Sequence, residues 1–253
     1  MIQNNILIVF KKFKHSGLFL TCSFASIFLF IVGCTTVNEP VMGDNVTDVD
    51  GNVYHTIIIG TQTWMIENLK TTHYNDNTPI SLVEDSAEWV NRITQAYCWY
   101  NNDSTSYKET YGALYNWYTI DSGKLTPKGW HIPTEADWTT LENYVGQYYL
   151  LSGSLAKILA ATTHWKSSIN SSTIGYDKSK NNSSGFSALP GGRRINNAYL
   201  FSQVDSIGTW WSSTSKTDST VLTMTLQYDL STVEQNNYKK KSGLSIRCIK
   251  DAN

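Results

Sequence analysis

Apolar positions in this chain come in short runs broken by turn residues, and the spacing within each run predicts its element. From Val53 to Ile59 a β-branched run, bounded by Asp50-Gly51 and Gly60, predicts a strand, with Thr63 to Ile66 as its hairpin partner. Trp89, Val90 and Ile93 share one side of a short helix predicted over Ser86 to Ile93. Tyr111, Leu114, Tyr115 and Tyr118 recur at helical spacing and predict a buried amphipathic helix. Trp138, Leu141 and Val145 follow at i, i+3 and i+7, and Thr134 with Asp137 three residues later predicts a capping box at the head of that helix. Pro133 stands just ahead of the cap, and Glu135 sits in the first turn beside the positive helix terminus. Leu155, Ile158 and Leu159 mark a further helix within Gly153 to Ala161. Residues 166–184 are a long Ser/Asn/Thr-rich loop, and loops of that length are functional or mobile. In the last third, TWWSST, TVLTMTLQY, STVEQNNY and GLSIRCIKD read as strands, so short helices in the middle and an antiparallel sheet at the end predict an α+β fold.

The longest apolar run stands apart from this pattern. Lys11, Lys12 and Lys14 precede LFLTCSFASIFLFIVG, which reads as the basic and apolar regions of a secretory signal over residues 1–33. The run ends in IVGC, resembling the lipobox of bacterial lipoproteins, in which the peptide before the cysteine is cut and Cys34 becomes an acylated N-terminus. A membrane-spanning helix of about 17 to 25 residues is the competing reading, but a span gains nothing from a small residue followed by cysteine. Residues 34–47 then read as a lipidated tether and 48–253 as the folded domain. The expected location is the cell envelope, as an outer-membrane lipoprotein facing the periplasm or the cell surface, with the membrane as a partner through the acyl chains. Loss of three lysines with the signal leaves 17 basic against 21 acidic side chains, and a net charge of −4 argues against nucleic acid as a partner.

Composition adds a second asymmetry. The chain has 8 Phe, 15 Tyr and 9 Trp; six of the Phe lie in the signal, so the domain's aromatics are nearly all Tyr and Trp. Such side chains suit surfaces that are apolar on one edge and hydrogen-bonded on the other. Of the 4 cysteines, Cys22 lies in the signal and Cys34 at the lipid site. Cys98 and Cys248 remain, either free or joined by one bridge. The bridge is favoured in an exported protein and would contribute about 4 to 5 kcal/mol in the chain-entropy account. Two isolated cysteines lack the paired spacing of a zinc site. DVDGN near residue 50 echoes part of a calcium loop, but without the rest of that pattern it reads as a turn. Calcium is therefore unsupported, and no cofactor is expected, because no Gly-rich phosphate loop appears.

GWHIPTEADW, from Gly129 to Trp138, holds a histidine, two carboxylates and two tryptophans, the ingredients of an acid/base centre. The capping reading employs Thr134 and Asp137, and Trp130 and Trp138 read as core, which leaves His131 unassigned. In order along the chain, IGTQTWMIENLKTT, YCWYNND, YGALYNWYTI, PKGWHIPTEADWTTLENYVG, GFSALPGGRR, WWSST and GLSIRCIKD resemble the Fibrobacter succinogenes major paralogous domain family over about residues 48–251. The resemblance implies an exported, often lipid-anchored protein of Bacteroidetes or Fibrobacteres, without an assigned biochemical role. The ending GLSIRCIKD, with WWSST upstream, also resembles the C-type-lectin-like architecture shared by lectins and formylglycine-generating enzymes, an analogy of fold that does not transfer activity. One departure is Thr126, where the family usually has a cysteine before the Pro of its P-x-G-W-H motif. If that cysteine pairs with the one matching Cys248, then Cys248 here is free or pairs with Cys98.

Function is read as a non-catalytic binding or adhesion module, with glycans as candidate ligands and a polysaccharide or envelope protein as candidate partner. Arg193 and Arg194 of PGGRR, with Trp210 and Trp211 of WWSST, are its candidate ligand-binding residues, since sugar rings and hydroxyls require aromatic faces beside polar groups. Alternating strand geometry argues that one of the tryptophans faces the core. A structural envelope component is the alternative. An enzyme related to formylglycine-generating oxidases is a weaker one, because only Cys98 and Cys248 could supply its reactive cysteines.

Overall fold

The computed structural model describes residues 40–149, 153–195 and 201–252. The signal, Cys22, Cys34 and the tether up to residue 39 lie outside them. Twelve strands and five α-helices follow in order: β1 (Val41–Thr47), β2 (Val53–Ile59), β3 (Gln62–Met65), α1 (Ser86–Asn91), β4 (Tyr97–Cys98), α2 (Ser104–Tyr111), β5 (Leu114–Tyr115), α3 (Trp117–Ile120), β6 (Trp130–His131), α4 (Glu135–Tyr148), α5 (Leu155–Leu159), β7 (Gly191–Arg194), β8 (Phe201–Val204), β9 (Ile207–Ser215), β10 (Thr220–Gln227), β11 (Glu234–Lys239) and β12 (Ile249–Lys250). One five-stranded sheet runs β1-β2-β3-β12-β6 and a second runs β11-β10-β9-β7-β8, with β4 and β5 as a small pair. Pairing is antiparallel throughout both large sheets except between β7 and β9. The fold is α+β, with short helices concentrated in the middle of the chain.

The sequence reading does not anticipate α2, β7 or β8, and three of its own assignments differ from the structure. Val41–Thr47, read as tether, pairs with β2 as an edge strand around a turn in which the Asp48 carboxylate accepts from the backbone N–H groups of Asp50 and Asn52. The helix expected over Tyr111 to Tyr118 is three pieces, the end of α2, β5 and α3. Gly112 breaks it: at φ 74 it lies so close to Leu69 O that a Cβ would come within 2.7 Å. Tyr111, Leu114 and Tyr115 are nonetheless buried, as the apolar spacing required. GLSIRC does not extend the β9–β11 sheet; Gly243, Leu244 and Ser245 make single bridges to Arg194, Tyr115 and Trp210, and β12 joins the first sheet.

The apolar residues divide into two large clusters and a smaller one. Tyr54, Met65, Tyr115, Trp211 and Cys248 belong to the first, and Ile57, Trp64, Trp138, Phe186 and Trp210 to the second. In the second, Trp64 stacks on Trp138 at 4.7 Å and Phe186 meets both edge-on. β9 runs between the two, so its neighbouring tryptophans point into opposite cores.

Candidate functional site

GWHIPTEADW is framework. The Thr134 side chain accepts from Asp137 N, and the Asp137 carboxylate accepts from Thr134 N at 2.8 Å, closing the capping box of α4. Trp130 and Trp138 are buried. His131 places Nδ1 2.7 Å from Asp251 Oδ1 and Nε2 3.3 Å from Asp137 Oδ2. Only an imidazolium can donate to both carboxylates. Asp251 follows β12, whose Lys250 pairs with Trp130, so the ring ties the last described strand to the head of α4. Burial raises the Asp137 pKa, but the Thr134 side-chain and backbone donors and then His131 outweigh it and leave the group below its ordinary value. Both ring nitrogens contact carboxylates, so His131 joins Asp251 to the capping residue Asp137.

The residues expected to bind ligand are placed otherwise. Trp210 and Trp211 are both fully buried, against the expectation of one outward ring, because β9 is covered on both faces. Trp210 Nε1 donates to Asn68 Oδ1 at 2.8 Å, and Trp211 Nε1 donates to Tyr115 O at 2.7 Å. Arg194 is buried too: it donates to Val83 O and Glu84 O at 2.7 and 2.8 Å, between the rings of Trp89 and Phe201. Arg193 is half-buried and turned another way, donating to Tyr238 Oη and Gln203 Oε1. The four do not form a site.

Arg194 is one of three buried cations that sequence reasoning missed. Arg247 of GLSIRCIKD donates to Phe186 O, Asn68 Oδ1 and Ser187 O while lying 4.4 Å from the centre of the Phe186 ring. Burial pushes its pKa down to about 9, so it stays charged at neutral pH. Lys157, on α5, donates its ammonium to the carbonyls of Thr173, Tyr176 and Asp177, pinning the long 166–184 loop. Among the described residues none of the three forms an ion pair with a carboxylate; backbone carbonyls hold all three, and aromatic faces cover the two arginines.

Cys98 and Cys248 are both free and buried, so the expected bridge is not formed. Cys98 belongs to the small cluster with Trp89 and Leu114, whereas Cys248 belongs to the first large cluster with Leu125 and Trp130. They belong to different clusters. Burial pushes the Cys98 thiol up to about 12, and raises Cys248 as well.

Surface depressions supply the remaining candidates. A cavity of about 420 Å³ beside His131 and one of about 510 Å³ between His164, Lys178 and Asp205 each hold several polar groups engaged within the protein. Lys178 Nζ donates to Trp165 O, for example, and the Asp205 carboxylate accepts from Tyr111 Oη. A third, of about 340 Å³, differs. Two turns form it, 74–78 and 121–124, laced by Asn75 N donating to Lys124 O and by the Lys124 to Asp76 ion pair at 2.8 Å. Tyr74 lies buried at its base, and Gln95, Tyr118 and Asp121 line it. Among the described residues, no side chain or backbone group hydrogen-bonds the Gln95 amide, the Tyr118 hydroxyl or the Asp121 carboxylate. Such a set offers a ring face, an amide and a carboxylate to a polar ligand.

Comparison with known families then decides the relationship. The description "Fibrobacter succinogenes major domain" matches residues 57–250. The chain belongs to that Fibrobacter succinogenes major domain family. No curated protein and no solved structure matches it. The family region runs from within β2 to the end of β12, and so contains the buried cations, His131 with Asp137, and the Tyr118 cleft, while β1 precedes it and Asp251 follows it. Within the matched region, PGGRR delivers Arg194 and GLSIRCIKD delivers Arg247 to backbone carbonyls.

Proposed function

We propose that this member of the Fibrobacter succinogenes major domain family is a lipid-anchored cell-envelope protein whose domain is a non-catalytic binding module for glycans. The observation that carries the binding reading is the Tyr118 cleft, which is lined by the Tyr118 phenol, the Gln95 amide and the Asp121 carboxylate, all without hydrogen-bond partners among the described residues. Sugars need that combination, a ring face for their C–H surface and planar hydrogen-bonding groups for their hydroxyls. The lipobox-like IVGC ending at Cys34 supports the anchorage and an envelope location. Short central helices and the antiparallel C-terminal strands support a C-type-lectin-like architecture. The oxidase alternative requires accessible, reactive cysteines at one centre, and the separate clusters and raised thiol pKa of Cys98 and Cys248 disfavour it.

The test is retention of the full chain on a panel of immobilised polysaccharides, with and without calcium. Selective retention that is lost in Tyr118→Ala and Asp121→Asn, with thermal stability unchanged, supports the module. Equal retention of wild type and both variants removes the cleft from the account.

A further inference from the structure

The first strand ends in an apolar tip that the core does not use. Val41, Met42 and Ile58 are 56%, 55% and 40% exposed. Val41 pairs with Ile58 and Met42 with Ile57, and successive strand residues point to opposite faces, so apolar side chains project from both faces of the sheet edge at this one end. We propose that this tip is a membrane-contact surface, seated among the headgroups of the bilayer that holds the acyl chains. The inference rests on the acylation of Cys34 proposed above.

Chain length permits the tip to reach the bilayer. Val41 follows Cys34 by seven positions, and an extended chain covers at most about 3.6 Å per residue, so the tip stays within roughly 25 Å of the acylated sulfur. Apolar residues on both faces of an edge suit edge-on seating, to the depth of about 5–10 Å that interfacial elements reach. A second copy adding its own strand to β1 is the competing occupant. Against it, the β1–β2 register breaks between Gly43 and Val46, with Asp44 and Asn45 exposed in the break, and such an irregularity blunts an edge against strand addition.

Site-directed labelling tests the seating. The full chain is produced in a host that acylates it, as Met42→Cys, Ile58→Cys or Ile93→Cys, the last an exposed apolar residue beyond α1 serving as reference. Cys98 and Cys248 are buried, so a polarity-sensitive fluorophore goes to the introduced thiol. Each protein is reconstituted into phosphatidylethanolamine and phosphatidylglycerol vesicles, with and without nitroxide-bearing lipid. The expected result is a blue shift and loss of intensity to the nitroxide at 42 and 58, and neither at 93. If the protein floats with the vesicles but 42 and 58 behave like 93, the membrane contact is overturned while the anchorage stands. Shielding of 42 and 58 that follows protein concentration and ignores nitroxide lipid assigns the tip to a second copy and overturns it equally. If the protein neither floats nor incorporates fatty acid, the anchorage falls and the inference with it.

Discussion

Single side chains hold distant segments together here, because three buried cations donate to backbone carbonyls. Removing the Arg247 head in Arg247→Met orphans Phe186 O, Ser187 O and one lone pair of Asn68 Oδ1. Each buried acceptor left without a donor costs about 1–3 kcal/mol, so chemical denaturation is expected to show a loss of about 3 kcal/mol or more. Arg247→Lys does not restore it, since an ammonium cannot reproduce the planar fork stacked over Phe186. By contrast, Tyr118→Phe is expected to leave the midpoint almost unmoved, since the hydroxyl has no partner among the described residues. The cysteines make a prediction of opposite sign to the bridge expectation: unfolding without reductant exposes two titratable thiols, Cys34 excluded, and the folded protein exposes neither. None of these burials was legible in the sequence. Arg194 meets carbonyls 110 and 111 positions away and Arg247 meets one 61 away, and no local spacing marks a backbone acceptor. Arg193 and Arg194 of PGGRR therefore read as candidate ligand-binding residues, and WWSST as half outward.

Elements were legible where their determinants are local. Thr134 and Asp137 sit three apart, and the capping box forms as read. The α4 cap also sets a pH dependence. Asp137 has its folded pKa below the ordinary 3.8, so its contribution is complete above that value and is lost as pH falls through the folded one. Unfolding measured from neutral to acid pH is expected to show this loss, and Asp137→Asn to flatten it. Thr134→Ala at neutral pH is expected to cost about 0.5–2 kcal/mol, the usual value of such a cap. Where the determinant is a tertiary contact, reading failed. The Tyr111 to Tyr118 periodicity identified buried positions correctly and the element wrongly, because the close approach of Gly112 to Leu69 O splits it. Edge strand β1 was missed for a related reason: VMGDNVT has no alternation of its own and becomes a strand only by pairing with β2.

At the scale of the whole molecule, the α+β class and the family were both legible, since seven ordered motifs span the domain and class follows from the order of elements. The ligand cleft was not, because Tyr74, Gln95 and Tyr118 come together only when two turns are laced through Asn75 and Lys124. Density of Asn, Asp, Ser and Gly at 75–77 and 121–123 was the one available signal. Anchorage is a separate matter from the fold: metabolic fatty-acid labelling is expected in the wild type and absent in Cys34→Ala, and labelling that persists there contradicts the lipobox reading. The claim on which the functional account turns is that the Tyr118 cleft binds sugar. Affinity electrophoresis through gels containing soluble polysaccharides measures it most directly. The account predicts that at least one polysaccharide retards the wild-type protein and that Tyr118→Ala migrates as in a gel without it. Unretarded migration of wild type through every polysaccharide, or equal retardation of the two proteins, contradicts it.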